Sequence, residues 1–250
     1  MSSSELSGAK RAEAAQPPEI AARWRSVVER VEAAAQRSGR DPQDVTIVAV
    51  TKTHPPEVIL PAVQAGATDL GENYVQELIA KRDRLEELGA GHVRWHFIGH
   101  LQRNKVKYLA PFCFLIHSVD RERLAAEIEK RAAAIGRQQP VLIEVNISGE
   151  QTKFGIAPEN VIELARYVLK LEHVQLCGLM TMAPYSDDPE TSRPIYRALR
   201  ELRDRLVEEG IPPENMRHLS MGMTQDFEVA VEEGATIVRI GTAIFGPRRQ

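Results

Sequence analysis

Short β-branched runs alternate with amphipathic helical stretches from residue 45 onward, and this alternation constrains the fold more than any other feature. It is typical of successive βα units and a parallel sheet. Eight runs can be counted, which is the number that closes a barrel. The sequence therefore predicts an α/β protein with a single (β/α)₈ TIM barrel rather than a doubly wound open sheet. The predicted strands are 46–52, 67–73, 93–100, 114–120, 141–148, 174–182, 217–223 and 236–246.

The predicted helices carry apolar residues at three- and four-residue spacing, and one helix precedes the first strand. That helix, at 20–39, is expected to cover the place of an eighth helix, because nothing helical is expected after strand eight. Pro61 would cost about 3 kcal/mol in a helix interior, so its helix is expected to start near Leu60. Residues 1–18 offer little to bury and are expected to be a disordered tail, with 19–250 as the barrel domain.

The composition is that of an ordinary soluble globular protein. The net charge is -3, and acidic and basic residues are mixed along the helical stretches, so no nucleic-acid-binding stripe is indicated. Cys113 and Cys177 lie outside any CxxC spacing, which suggests neither a disulfide framework nor a zinc site. No stretch approaches the ~18 apolar residues that would span a membrane. We expect a cytoplasmic protein with no nucleic-acid or membrane partner.

Function in such a barrel lies at the carboxyl ends of the strands. By the two-residue period, Lys52 lies on the inward face of strand one and Arg239 on that of strand eight. These strands are neighbours in a closed barrel, so two cations converge on one part of the mouth and indicate an anionic ligand. The nearby cation would also lower the pKa of Lys52 and free its amine to attack an aldehyde. Two structural alternatives stay open: an ion pair of Arg239 with Glu144, and Lys52 as a solvated lysine.

The loops after strands seven and eight form the usual phosphate site of this fold. Here they read LSMGMT at 219–224 and GTAIFG at 241–246. Ser220 and Thr242 can donate hydroxyls, while Gly222 and Gly241 would let backbone N–H groups approach a phosphate closely. Each of these residues taken alone is more often a turn residue than a ligand contact.

Histidines near the strand ends raise the alternative of a catalytic metal. His96 and His100 in WHFIGH are four residues apart and would share one face of strand three. However, strand one carries TKT where metal-dependent hydrolase barrels usually carry an HxH pair, and the pattern supplies no complete ligand set. We expect no metal site.

Seven motifs occur in a characteristic order. They are VAVTKTHPPEVI, DLGENYVQE, WHFIGHLQRNK, HSVD, EVNISGEQTKFGI, GLMTMAP and HLSMGMTQDFEVAVEEGATIVRIGTAIFG. As an ordered set, they resemble the pyridoxal phosphate homeostasis protein family over about residues 20 to 247. The resemblance implies an alanine-racemase-like type III barrel that holds pyridoxal 5′-phosphate (PLP) as a Schiff base on Lys52. One departure is His100, where many members carry proline.

The resemblance also implies roles for other residues of the site. Asn73 would lie against the cofactor ring, and Arg239 would meet the pyridine nitrogen. A guanidinium cannot accept a proton, so Arg239 would leave that nitrogen unprotonated and weaken the ring as an electron sink. The residues implied to hold the phosphate are Ser220, Gly241 and Thr242.

An alanine racemase needs two bases on opposite faces of its substrate: the PLP lysine and a tyrosine supplied with a second, β-rich domain. The sequence ends at Gln250, just after strand eight, and no pattern places Tyr74 or Tyr185 as a second base. We therefore expect a monomeric, non-catalytic carrier that buffers PLP and passes it to apo PLP enzymes or to amino acids. Two alternatives stay open: a weak PLP-dependent amino-acid racemase, and a regulatory module that acts through a protein partner.

Overall fold

The computed structural model describes residues 16–150 and 153–247. Its strands are parallel and form a closed barrel in the order β1 to β8, with β1 paired to both β2 and β8. This confirms the predicted (β/α)₈ barrel, and each strand overlaps its predicted run. The strands are β1 (Thr46–Val50), β2 (Asp69–Glu72), β3 (Arg94–Phe97), β4 (Leu115–Val119), β5 (Gln139–Glu144), β6 (Val174–Met180), β7 (His218–Ser220) and β8 (Ile237–Ile240).

Helices connect the strands on the outside of the barrel. Within the described residues, none of them has both the length and the apolar character needed to cross a bilayer. The α-helices are α1 (Pro17–Arg37), α2 (Pro56–Gln64), α3 (Val75–Glu87), α4 (Val106–Leu109), α5 (Glu122–Ala133), α6 (Val161–Val168), α7 (Arg193–Glu208), α8 (Phe227–Glu232) and α9 (Thr242–Phe245).

Successive strand residues alternate between the two surfaces of the barrel wall. Outward-facing residues join the helices in one large apolar cluster. Val48 and Ile237 belong instead to a small interior cluster, which confirms the inward faces predicted for strands one and eight. The interior also holds buried polar side chains, among them His96, His117 and Arg239.

Helix α1 packs against α2, α8 and α9. Two ion pairs fasten it to α8: Arg30 lies 2.7 Å from Glu228, and Arg37 lies 2.9 Å from Glu232. The helix therefore covers the gap between the last and the first βα units, as the sequence predicts.

This helix begins before the predicted domain boundary. Pro17 and Pro18 belong to α1 and not to the tail predicted over 1–18. Proline is tolerated in a first helical turn because the N–H that it lacks has no helical partner there. The Glu19 side chain accepts a hydrogen bond from the N–H of Gln16 at 3.3 Å, which caps this end. The rest of the predicted tail, residues 1–15, lies outside the described residues.

Two predictions about helices are wrong. Helix α2 begins at Pro56 and not near Leu60, so Pro61 lies in its interior. The ring of Pro61 is buried in the outer core, and this burial offsets the backbone hydrogen bond that proline removes. A short helix, α9, also follows β8, closed by bonds from Phe245 N–H to Gly241 and from Gly246 N–H to Thr242.

A β-bulge between β5 and β6 brings Gly178 against β7. The register shifts so that Val141 pairs with Leu176 and Leu142 pairs with Gly178. Gly178 has a φ of +148°, and a Cβ there would lie 1.9 Å from the carbonyl oxygen of His218. Only glycine permits so close an approach, so this position sets the spacing between β6 and β7, the strand that ends at Ser220.

Gly178→Ala is expected to lower the free energy of unfolding by more than about 4 kcal/mol, or to abolish folding, because β7 would have to move. Gly39→Ala is the matched control. Gly39 also has a positive φ, +69°, but a Cβ there meets nothing within 4 Å. The free energy of unfolding of Gly39→Ala should fall by only about 1 kcal/mol, which is the cost of placing alanine in a left-handed backbone conformation. Urea unfolding measures both variants, and equal losses would contradict the close approach at Gly178.

Candidate functional site

The predicted site residues gather at one end of the barrel. Lys52 follows β1 by two residues, Asn73 directly follows β2, and Thr242 is the first residue of α9. Ser220 is the last residue of β7, and Arg239 lies within β8. Since the strands are parallel, their carboxyl ends meet at one mouth, and the structure brings these residues of strands one, two, seven and eight to it.

Lys52 occupies a tight turn after β1. The N–H of His54 donates to the carbonyl of Thr51 at 3.0 Å, which closes a four-residue turn with Lys52 in second place. Thr53, in third place, has a φ of +68°, a left-handed conformation that threonine adopts only at a cost. Lys52 itself is half-buried. Strained backbone next to a nucleophilic side chain is typical of functional sites.

By the two-residue period of β1, the two cations share a face of the barrel, but they do not share a level. Arg239 pairs with Val48, four residues before Lys52, which is about 13 Å of strand at 3.3 Å per residue. Arg239 therefore rises from a deeper level than Lys52. A ligand in contact with both side chains must lie along the direction of the strands.

The Arg239 guanidinium is held by neutral oxygen atoms. Nη1 donates to Ser220 Oγ at 2.6 Å, and Nη2 donates to the carbonyl of Thr181 at 2.9 Å. The side chain is buried, and this burial lowers its pKa. A buried cation whose hydrogen-bond acceptors are all neutral can still interact favourably with an electron-rich ligand.

Glu144 does not form the ion pair that was the structural alternative for Arg239. Within the part of the chain that the structure describes, no carboxylate pairs with this guanidinium. Burial raises the pKa of Glu144 to about 7, with Asp120 adding to the rise and Arg239 opposing it. Near neutral pH the carboxyl is therefore only partly ionised and offsets the charge of Arg239 only in part.

Ser220 connects Arg239 to a line of polar side chains across the barrel interior. Ser220 Oγ lies 2.9 Å from Nδ1 of His117. Nε2 of His117 lies 2.9 Å from Nδ1 of His96. Nε2 of His96 lies 2.9 Å from Oδ1 of Asp69. We refer to Asp69, His96, His117, Ser220 and Arg239 as the interior polar line.

The charge of Asp69 fixes the hydrogen-bond directions along this line. Burial opposes ionisation of Asp69, but hydrogen bonds from His96 and Arg94 outweigh it and lower its pKa to about 2. Asp69 is thus a carboxylate that only accepts. Burial lowers the pKa of both histidines, so both are neutral. His96 and His117 then each donate from Nε2 and accept at Nδ1, and the Ser220 hydroxyl donates to His117 while accepting from the guanidinium.

This arrangement gives the Ser220 hydroxyl partners other than a phosphate. The residue is fully buried, and its proton is directed at His117. To donate to a phosphate, the hydroxyl would have to give up that bond. The phosphate role of Ser220 stays a prediction, whereas its contact with Arg239 orients the guanidinium.

Gly222 and Gly241 lack side chains for different reasons. Gly222 has a φ of +94°, and a Cβ there would lie 2.5 Å from the Cβ of Ala230, so the packing of α8 requires glycine. At Gly241 a Cβ would lie 3.3 Å from the carbonyl oxygen of Val50, at the end of β1. Thr242 follows directly and is exposed. Gly241 and Thr242 thus lie close to the strand that leads to Lys52, while phosphate binding by these three residues stays a prediction.

A cavity of about 400 Å³ opens at the mouth beside β2 and β3. Asn73 and Tyr74 line it, and Asn73 Oδ1 is buried without a hydrogen-bond partner among the described residues. The ring of His100 stacks on Phe154 at 4.1 Å and forms another part of the wall. A buried acceptor without a partner, in the wall of a cavity, fits a ligand that donates a hydrogen bond.

The two histidines of WHFIGH do not share a face, so that prediction is wrong. Strand β3 ends at Phe97, and the chain turns before His100, which is exposed at the mouth. His96 points into the barrel, where both of its ring nitrogens have hydrogen-bond partners.

Sequence reasoning missed two polar groups. The inward orientation of Asp69 and His117 follows from the two-residue period of strands two and four, a signal that was present. The second group joins Lys81 to two carboxylates, with Nζ 2.6 Å from Glu72 Oε1 and 2.9 Å from Glu77 Oε2. The four-residue spacing of Glu77 and Lys81 on a helix indicates an ion pair, but only the fold shows that Glu72 of β2 lies beside this pair.

Comparison with known proteins first defines the class. The family model of the N-terminal domain of alanine racemase matches residues 24–249. An alanine racemase of Clostridium difficile has the same fold, with a TM-score of 0.70 at 15% identity. That match covers 92% of this chain and 60% of the racemase chain. The fold is thus that of alanine-racemase-type barrels.

More similar relatives define the family. The pyridoxal phosphate homeostasis protein of Aquifex aeolicus is 51% identical over 89% of this chain and 96% of its own length. That of Escherichia coli K12 is 40% identical over 92% and 97%. The structure of PipY from Synechococcus elongatus, described as having PLP bound, matches with a TM-score of 0.78 at 33% identity, over 91% of this chain and 100% of that chain. The chain belongs to the pyridoxal phosphate homeostasis protein family, which confirms the resemblance of its motifs.

The contribution of His96 and His117 to the free energy of unfolding is expected to fall as the pH drops below about 6.5, while Glu144, whose pKa is raised to about 7, contributes in the opposite direction. In the native state burial lowers the pKa of His96 and His117, whereas in the unfolded chain both take up protons near the ordinary histidine pKa of 6.5. Each histidine then removes about 1.4 kcal/mol per pH unit until the pH reaches its native pKa. Asp69 lowers the free energy of unfolding further as the pH falls from 3.8 towards about 2, because its pKa is about 2 in the native state.

Urea unfolding at about pH 7 and about pH 5.5 measures this dependence. His96→Gln should show a smaller loss between the two pH values, even though its stability at neutral pH is lower. His100→Gln, which removes an exposed histidine, should keep the wild-type dependence. An identical dependence in both variants would contradict a buried, neutral His96.

Proposed function

We propose that this protein binds PLP covalently through Lys52 and serves intracellular PLP homeostasis as a carrier of the cofactor. The observation that carries the proposal is the position of Lys52, in a strained turn at the mouth and on the same face as the buried Arg239. Membership of the pyridoxal phosphate homeostasis family supports it, as does the PLP described in the PipY structure. The amine of Lys52 would hold the cofactor aldehyde as an imine, with loss of water.

Arg239 is proposed to face the pyridine nitrogen. A guanidinium can donate to that nitrogen but keeps its proton, so the ring stays a weak electron sink. The register supports this role, because a ligand that reaches both Lys52 and Arg239 lies along the strands. The other proposed cofactor contacts are Asn73, Ser220, Gly222, Gly241 and Thr242.

The surroundings of the mouth support a non-catalytic role. Tyr74 is 57% exposed and Tyr185 is 74% exposed, and the Tyr185 hydroxyl donates to Asp187. Neither phenol is held rigidly as a second base. One observation favours weak amino-acid racemisation as a second candidate: Glu144 faces inward at the end of β5, and burial raises its pKa to about 7, so it can exchange a proton near neutral pH.

We further propose that the protein acts in the cytoplasm as a monomer and passes PLP to apo PLP enzymes or to amino acids, without a nucleic-acid partner. The mixed surface charge supports this. Arg37 of α1 pairs with Glu232, and Arg193 of α7 pairs with Glu190, so these cations do not build a basic stripe.

Lys52→Ala is expected to abolish the visible imine absorbance and the PLP that borohydride fixes, while the barrel stays folded, because a half-buried side chain at a turn is lost. Lys105→Ala is the matched control, since Lys105 lines the mouth cavity but lies between β3 and β4 and not at the end of β1. It should keep both signals. Peptide mass mapping after reduction identifies the anchor, and PLP fixed in Lys52→Ala, for instance on Lys153, would refute the assignment.

The PLP-loaded protein is expected not to exchange the Cα hydrogen of L-alanine or L-serine at rates near those of racemases, because an unprotonated ring stabilises a carbanion poorly. Incorporation of solvent deuterium at Cα, followed by mass spectrometry and chiral chromatography, measures this. Exchange with turnover near that of racemases would overturn the carrier proposal, and its loss in Glu144→Gln would identify the proton acceptor.

A further inference from the structure

The turn that carries Lys52 is held from outside the barrel wall. Lys81 of α3 directs its Nζ at the carbonyl oxygen of Thr51, 2.8 Å away. The same oxygen accepts the bond from His54 that closes the turn. On the other side of Lys52, the N–H of Thr53 donates to Glu77 Oε2 at 3.0 Å. The backbone is thus fastened immediately before and immediately after the lysine.

These contacts belong to one ionic cluster. Lys81 Nζ also lies 2.6 Å from Glu72 Oε1 and 2.9 Å from Glu77 Oε2. The hydroxyl of Thr51 donates to the same Glu72 oxygen at 2.5 Å. We refer to Glu72, Glu77 and Lys81 as the turn clamp.

The turn clamp does not reach the interior of the barrel. Leu70 of β2 belongs to the outer apolar cluster, and Glu72 lies two residues further along the same strand, so it shares the outward face. The ammonium of Lys81 therefore lies between the wall and α3. Lys81 can act on the cofactor lysine only through the backbone of the turn.

The burial of the clamp also points to positioning. The side chain of Glu72 is 0% exposed and that of Lys81 is 8% exposed. Burying an ion pair costs desolvation that apolar residues of similar volume avoid, so such a pair is weak evidence for stability. Here it lies beside Thr53, whose positive φ needs an external restraint.

We propose that the turn clamp is a positioning device that holds the strained turn Thr51–His54 so that Lys52 is directed into the barrel. Lys81 and Glu77 are positioning residues in this scheme, not catalytic ones. The proposal rests on the function proposed above, in that Lys52 is the anchor of PLP. Without the clamp, the turn relaxes, and the amine spends less time in the orientation that reaches the ligand.

Lys81→Met tests the clamp, because it removes the ammonium and keeps an apolar side chain of comparable length. In the PLP-free protein, hydrogen exchange of the Thr53 and His54 amides is expected to rise about tenfold, with exchange in β3 to β6 unchanged. After PLP is added, its covalent attachment should be slower by about the same factor, while borohydride mapping still finds Lys52.

Arg84→Met is the matched control on the same helix. Arg84 pairs with Glu57 and Glu87, so its loss removes ion pairs of α3 without touching the turn. Both the exchange of the turn amides and the rate of PLP attachment should match those of the unmodified protein.

Thr53→Gly, added to Lys81→Met, separates positioning from general stability. Glycine adopts a φ of +68° without the steric cost that threonine has, so the double variant should recover a large part of the attachment rate. A role of Lys81 in global stability alone predicts no recovery.

Unchanged turn exchange in a folded Lys81→Met protein overturns the proposal, and so does an attachment rate that Thr53→Gly does not raise. If Lys81→Met does not fold, Glu77→Ala decides, since Glu77 is at the edge of the clamp with its side chain 35% exposed. Unchanged exchange at Thr53 in that variant refutes the clamp. PLP fixed on a lysine other than Lys52 in the unmodified protein refutes the proposed function instead, and the exchange measurement on PLP-free protein still tests the clamp.

Discussion

Pairing of β1 with β8 closes the sheet, and the polar contacts of the interior depend on that closure. The interior polar line takes Asp69 from β2, His96 from β3, His117 from β4, and Ser220 from β7. In an open sheet, β4 and β7 would be three strand positions apart, or about 14 Å at 4.8 Å per strand. The 2.9 Å contact between His117 and Ser220 exists only because the wall curves round and brings opposite strands together. Orientation of Arg239 is thus a consequence of barrel closure.

The interior polar line lowers the folding stability of the barrel but fixes the direction of its hydrogen bonds. Two neutral histidines and an ionised Asp69 stand where a barrel core ordinarily packs branched apolar side chains. The gain is a single pattern of donors and acceptors: with Asp69 able only to accept, each ring and the Ser220 hydroxyl have one orientation that satisfies every bond. The oxygen that Arg239 meets is therefore always an acceptor. A fixed guanidinium costs a ligand little reorganisation when it binds.

The sequence predicts the fold well because its signals are local. The two-residue and 3.6-residue periods define the strands and the helix 20–39 without knowledge of neighbours, and strand ends locate Lys52 and Asn73. Contacts between residues that are distant in the sequence could not be predicted. The sequence indicates that the Ser220 hydroxyl can donate to a phosphate, but it does not show that His117 lies beside that hydroxyl. The sequence indicates an ordinary helical ion pair of Glu77 and Lys81, but it does not show that Lys81 also donates to the carbonyl of Thr51. The sequence predicts that Pro61 interrupts a helix, but it does not show that this proline is buried within α2.

The two cations of the site are supported by opposite sides of the barrel wall. The interior polar line holds Arg239 from within, whereas Lys52 belongs to a turn whose backbone is fastened from outside by Lys81 and Glu77. The supports share no residue, so one anchor can change its orientation without disturbing the other. The proposed carrier role would benefit from that independence, because the ligand would stay held at one point while its covalent attachment to Lys52 is exchanged at the other. In that role an acceptor amine would reach Lys52 at the mouth, where this lysine is half-buried, while the buried Arg239 would keep its geometry below.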